Sequence, residues 1–152
     1  MAGKSDKGVG DLGEVLEFMK GVWALDHGLQ SRSKQMAATL GVTGPQRLVL
    51  RLVGQRPGIS AGELAELLHI HPSTLTGVLR RLEDRGYIVR GADAEDRRRA
   101  VLGLTAAGRA IDAQRRSTVE ASVKKVLAST APSDVAATRR VLQLLAQELG
   151  GD

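Results

Sequence analysis

Hydroxyl and guanidinium side chains at helical spacing are the groups in this chain best suited to recognition chemistry. Ser73, Thr74, Thr76, Gly77 and Arg80 follow directly on Pro72. If the segment is a helix, Leu75, Val78, Leu79 and Leu82 repeat at i, i+3, i+4, i+7 and turn inward, leaving Ser73, Thr76, Gly77, Arg80 and Asp84 outward. Short hydroxyls bond phosphates or base edges, a glycine lets the backbone approach, and an arginine reaches guanine bidentately. A second set lies at Asp96, Arg97, Arg98 and Arg99. Three adjacent guanidinium groups can contact phosphates or enter a narrow minor groove, with Asp96 holding one of them in place. Together the two sets suit a DNA duplex. Each alone also fits a plainer account: a solvated helix face, and a charged hairpin tip whose Asp93, Glu95 and Asp96 neutralise the arginines.

The flanking sequence supplies elements to position both sets. Ser60-Ala61-Gly62-Glu63 is a capping box that opens a short helix carrying Leu64, Leu67 and Leu68, and a tight turn at His69-Ile70-His71 leads to Pro72. Gly86 ends the second helix. Tyr87-Ile88-Val89-Arg90 and Ala100-Val101-Leu102-Gly103-Leu104 read as paired strands with the arginine tip between them. Upstream, Leu12, Val15, Leu16, Met19, Val22, Trp23 and Met36 predict a long amphipathic helix over 12–40, closed by Gly41. Thr43-Gly44-Pro45-Gln46 opens a helix to about Val53 with Leu48, Leu52 and Val49 inward. Downstream, Thr105 caps a helix expected to run through about Leu127, and Pro132-Ser133 begins a last one with Val135, Val141, Leu142, Leu145 and Leu149. The terminal stripes exceed what the middle unit can cover, and a second copy would bury the surplus.

Among 152 residues, 22 Lys+Arg stand against 17 Asp+Glu, a net charge of +5 that favours a polyanionic partner. The absence of cysteine excludes disulfides, thiolate metal sites, a cysteine nucleophile and a thiol oxidant sensor, and is compatible with a cytoplasmic protein. No apolar run is long enough for a membrane span. Residues 1–10 read as a disordered tail. Gly8-Val9-Gly10-Asp11-Leu12-Gly13 matches a dinucleotide-binding glycine pattern, but no strand precedes it, and it reads as a chance match. The only histidines, His27, His69 and His71, read as incidental rather than as metal ligands. With no nucleophile elbow, phosphate-binding loop or His-Glu helix motif, neither an enzyme nor a cofactor is expected.

The segments His71-Pro72-Ser73-Thr74-Leu75-Thr76, Leu82-Glu83-Asp84-Arg85-Gly86-Tyr87-Ile88, Asp96-Arg97-Arg98 and Leu102-Gly103-Leu104-Thr105-Ala106-Ala107-Gly108-Arg109 carry a specific resemblance. The chain resembles the MarR (multiple-antibiotic-resistance regulator) family of winged helix-turn-helix transcription factors over about Leu12 to Leu149. The fold implied is mainly α with a small β-wing (α+β). A helical dimerisation region would comprise 11–41 and 105–152, and the winged helix-turn-helix would occupy 42–104. The resemblance further implies a homodimer reading a near-palindromic DNA operator, usually as a repressor released by a small aromatic or anionic effector. In the family an Asp-x-Arg pair, here Asp96 and Arg98, sets the minor-groove arginine and its anchor. Two positions depart from the pattern: His69 stands where a glycine is usual, and His71 where an acidic or amide cap is commoner.

For an effector, Met19, Trp23 and His27 form a candidate pocket edge, and equally fit simple packing. Arg32, Lys34, Arg47, Arg51 and Arg56 fall in an acid-free stretch that could attract an anion or add DNA backbone contacts. The alternative in a different class is a winged-helix module for protein–protein assembly, its basic wing docked on an acidic partner.

Overall fold

The structure is a computed structural model that describes residues 12–150. The tail expected over 1–10 and most of the glycine pattern lie outside the described residues. Seven helices and one two-stranded antiparallel sheet are described: α1 (Leu12–Leu40), α2 (Gly44–Gln55), α3 (Ala61–Leu68), α4 (Pro72–Asp84), β1 (Ile88–Ala92), β2 (Ala100–Leu104), α5 (Ala106–Ala113), α6 (Val119–Leu127) and α7 (Pro132–Gly150). The fold is therefore mainly helical with a small β-wing. No described helix is long and apolar enough to cross a membrane.

The core gathers where α2, α3, α4 and the wing strands meet. Val49, Leu50 and Val53 of α2 pack with Leu64, Leu75, Leu79, Leu82, Ile88 and Leu102. Register pairs Ile88 with Leu104 and Arg90 with Leu102, which turns Leu102 inward. Ile59 O accepts from Leu102 N at 2.8 Å, tying the loop before α3 to the wing. Gly108 closes the other side of the wing: a Cβ there would strike the Tyr87 carbonyl oxygen, so only glycine lets α5 lie this close.

Two expectations are corrected. On α2, Leu48 is 50% exposed, and Leu50 and Val53 join Val49 inward. The helix is also buried on a polar side: Gln46 is buried, and Arg47 is only 1% exposed. The second correction is the long helix over Thr105–Leu127, which breaks between Ala113 and Val119. Ser117 adopts φ +58°, and Thr118 recaps the chain by accepting from Ala121 N at 3.2 Å.

Arg47 explains both. Its Nε donates to Glu120 Oε1 at 2.7 Å, and its two terminal nitrogens donate to the carbonyls of Ile111 and Gln114. The Ile111 carbonyl lies in the last turn of α5 and the Gln114 carbonyl at its C-cap, so the guanidinium bonds carbonyls that a continuous helix would have paired with its next turn. Beside it, Arg51 Nη1 meets Asp112 Oδ1 at 2.8 Å. Burial pushes the Glu120 carboxyl up, but its own backbone N–H, the Arg47 guanidinium and the Thr118 hydroxyl outweigh that and hold it below its usual value.

Removing Arg47 would take its donors from Glu120 and two carbonyls, which keep other partners: Arg51 Nε 4.0 Å from Glu120, Gln114 N on Ile111 O and Arg115 on Gln114 O. Arg47→Ala should cost about 1.5–3 kcal/mol of unfolding free energy in chemical denaturation. Because the folded Glu120 value is depressed, its contribution is fully present above its usual 4.5 and is lost as pH falls through the lowered value. Glu120→Gln should therefore flatten the acid limb of the Tm-versus-pH profile, and an unchanged limb would contradict the assignment.

Candidate nucleic-acid interface

The turn between α3 and α4 sets the angle at which the polar helix face is presented. His69 caps α3 in the left-handed region, φ 52° and ψ 44°, a conformation histidine adopts more readily than most residues other than glycine, asparagine and aspartate. Ile70 N then bonds back to Ala65 O at 3.2 Å, satisfying the end of α3. His71 caps α4: its Nδ1 accepts from Ser73 N at 3.1 Å, the role an acidic or amide residue more often fills. The inward leucines follow the spacing expected of them. Leu75, Leu79 and Leu82 are buried and Val78 is half-buried, so Ser73, Thr74, Thr76, Gly77 and Arg80 all stand exposed.

The wing tip is an ordered loop. Asp93 N donates to Arg99 O at 2.9 Å and Arg99 N to Asp96 O at 3.0 Å, which closes the hairpin. Asp96 Oδ1 accepts from the backbone N of Arg98 at 3.0 Å. The anchor read from sequence as a carboxylate gripping a guanidinium thus acts on the main chain. Arg98 and Arg97 are exposed, and among the described residues neither forms an ion pair, nor does Arg80.

Arg99 differs from its neighbours. It is half-buried, with its guanidinium 3.3 Å from Asp93 Oδ2 and paired with Glu63 on α3. Glu63 also receives Ser60 N at 2.8 Å, so one carboxylate both caps α3 and holds the wing. The Ser60 N–H and hydroxyl, with Arg99 behind them, outweigh burial and keep Glu63 below its usual value; the Glu95 N–H does the same for Asp93, with Asp96 N–H and Arg99 assisting. Sequence reasoning offered Asp93 among the acids that neutralise the tip, and missed Glu63. The capping box gave Glu63 a local role, but nothing local connects positions 63 and 99.

Other sequence candidates fall elsewhere. Arg47 and Arg51 of the acid-free stretch are engaged in the junction with α5 and α6 rather than offered to an anion. Met19, Trp23 and His27 are exposed on α1, and none of them lines the apolar groove of about 420 Å³ between α1 and α6. That groove is walled by Leu25, Leu29, Val123, Val126 and Leu127, with Arg32 at its margin. Among the described residues no group of His, Asp and Glu assembles as a metal site.

Because the wing is tethered through Arg99, Arg99→Ala should speed tryptic cleavage after Arg97 and Arg98 several-fold. Exposed ion pairs contribute little to global stability, so the same variant should unfold within about 1 kcal/mol of the parent. Unchanged cleavage would mean the tip is held by its backbone bonds alone.

A family model described as the MarR family matches residues 42–100, the segment from the start of α2 to the start of β2. The chain is 37% identical over 114 residues to the HTH-type transcriptional repressor Rv2887 of Mycobacterium tuberculosis, covering 74% of this chain and 78% of that protein. Among solved structures it resembles the MepR–DNA complex of S. aureus, with TM-score 0.68, 21% identity, and coverage of 87% of this chain and 97% of that one. It also resembles CouR from Rhodococcus jostii RHA1 bound to p-coumaroyl-CoA, with TM-score 0.67, 24% identity, and coverage of 90% and 92%. At these identities the structural likeness establishes the fold, while the sequence relative carries the family. The chain belongs to the MarR family and is a transcriptional regulator, not an enzyme.

Proposed function

We propose that the protein is a homodimeric, sequence-specific DNA-binding repressor that a small aromatic or anionic effector releases from its operator. The observation that carries the DNA reading is the separation of cations by role. Arg47, Arg51 and Arg99 are neutralised by carboxylates of the fold, whereas Arg80 on α4 and Arg97 and Arg98 at the wing tip are exposed and form no ion pair among the described residues. Charges left uncompensated on a helix face and an adjoining hairpin match the paired demands of a major groove and its flanking phosphates. Specificity falls to Ser73, Thr74, Thr76, Gly77 and Arg80, and anchoring to Arg97 and Arg98, with Asp96 and Arg99 shaping the wing.

A dimer is supported by the terminal helices. Trp23 is 66% and Leu149 77% exposed, and Leu12, Leu16 and Leu144 are exposed with them, more apolar surface than a monomer keeps in water. A two-fold pair would set its recognition helices about 34 Å apart, one turn of B-DNA. The effector reading draws on the ligand bound to CouR and on the apolar groove beside Arg32. A DNA partner implies a cytoplasmic location.

Arg98→Ala should weaken binding to many sequences alike and flatten the slope of log affinity against log salt by about one unit per lost phosphate contact. Arg80→Ala should instead relax preference at one base position, by roughly 1–3 kcal/mol. Titration of short duplexes at several salt concentrations reads both. Binding of an acidic protein with no salt-dependent duplex binding would favour the assembly module.

A further inference from the structure

Two of the three hydroxyl protons that α4 exposes, those of Ser73 and Thr76, are committed inside the protein. Ser73 N–H donates to His71 Nδ1 at 3.1 Å, so that ring nitrogen carries a lone pair and not a proton. Ser73 Oγ lies 2.6 Å from the same nitrogen, so in the tautomer that accepts from Ser73 N–H the hydroxyl proton shares that single lone pair. At the next position on this face, Thr76 Oγ1 donates to the Pro72 carbonyl at 2.9 Å. A hydroxyl has one proton to give, and both are in use.

We infer that Ser73 and Thr76 meet DNA as acceptors only, and select bases that offer an exocyclic amino group, adenine N6 or cytosine N4, in the major groove. The inference rests on α4 being the groove-reading helix. A free serine or threonine hydroxyl serves either polarity by rotating, but rotation here would break an internal hydrogen bond. Ser73, Thr76 and Arg80 stand at i, i+3 and i+7 on one exposed face, about 4.5 Å and then about 6 Å apart along the axis. The face reads acceptor, acceptor, donor. Its complement is two amino-bearing bases and then a base rich in acceptors, such as guanine. Among the described residues the Thr74 hydroxyl makes no internal hydrogen bond and adds no such constraint. His71 is a positioning residue: it fixes polarity at Ser73 without itself reading a base.

Selection from a random duplex pool by the full chain gives the preferred half-site. Binding is then measured to that site and to versions that lack only the amino group of one adenine or cytosine. Loss of the amino group should weaken the parent protein about threefold to tenfold. Ser73→Ala and Thr76→Val should each become indifferent to it at one position. His71→Ala, which frees the Ser73 hydroxyl, should accept thymine or guanine there, and His71→Asn, which restores an acceptor cap, should return the original preference. Thymine or guanine selected at the positions these variants disturb would overturn the inference, as would uniform weakening across all duplexes, the mark of phosphate contacts. Absence of any duplex binding by the parent protein would instead overturn the DNA-binding reading itself.

Discussion

The buried guanidinium of Arg47 is the constraint on which the arrangement of this chain turns. A cation removed from water must find partners of matching geometry, and Arg47 finds one carboxylate at the start of α6 and two main-chain carbonyls at the end of α5. The same contacts fix where the long C-terminal helix interrupts, where Thr118 restarts it, and how α2 sits against both halves. Since α2 also supplies Val49, Leu50 and Val53 to the core beneath α4 and the wing, one side chain joins that core unit to α5 and α6. Any tilt of α6 relative to α5 must pass through this junction, with Arg51 and Asp112 alongside.

The wing shows the same logic at the surface. Of three adjacent arginines, Arg99 is drawn back onto Glu63 and Asp93, and its pairing holds the other two forward. A hairpin tip of free arginines would lose considerable conformational entropy on ordering against a duplex. Asp96 and Asp93 take up main-chain N–H groups of the tip and pre-set its shape, so less order remains to be imposed on contact. At the turn before α4, His69 accepts a left-handed backbone and His71 supplies a ring nitrogen as cap, so both departures from the family pattern are accommodated locally.

How much of this could be read from the chain depended on whether a feature was local. The capping box at Ser60, the proline start of α4 and the leucine spacing through Leu82 are short-range signals, and α3, α4 and both strands follow them closely. The glycine at position 41, φ +75°, ends α1 as its type implies. What failed was mostly non-local. The helix expected from Thr105 to Leu127 has no apolar residue from Gln114 to Thr118, a local sign of the break, and the contacts that hold the break come from an arginine more than sixty residues earlier. Leu48 and Leu50 are equally apolar, and only the packing on two sides of α2 decides between them. Likewise the Glu63–Arg99 tether joins a cap to a wing tip across the fold. The polar groups offered by α4 were legible as residue types, but their hydrogen-bond polarity was not, because it is set by the rotamers of His71, Ser73 and Thr76.

The central claim is that exposed groups on α4 and the wing read a duplex as halves of a two-fold pair. Hydroxyl-radical and methylation footprinting of the protein on its selected site tests it most directly. The account predicts two protected major-groove segments about one helical turn apart, each flanked by minor-groove protection on its outer side. Protection confined to a single groove, or spread evenly without regard to sequence, would contradict it.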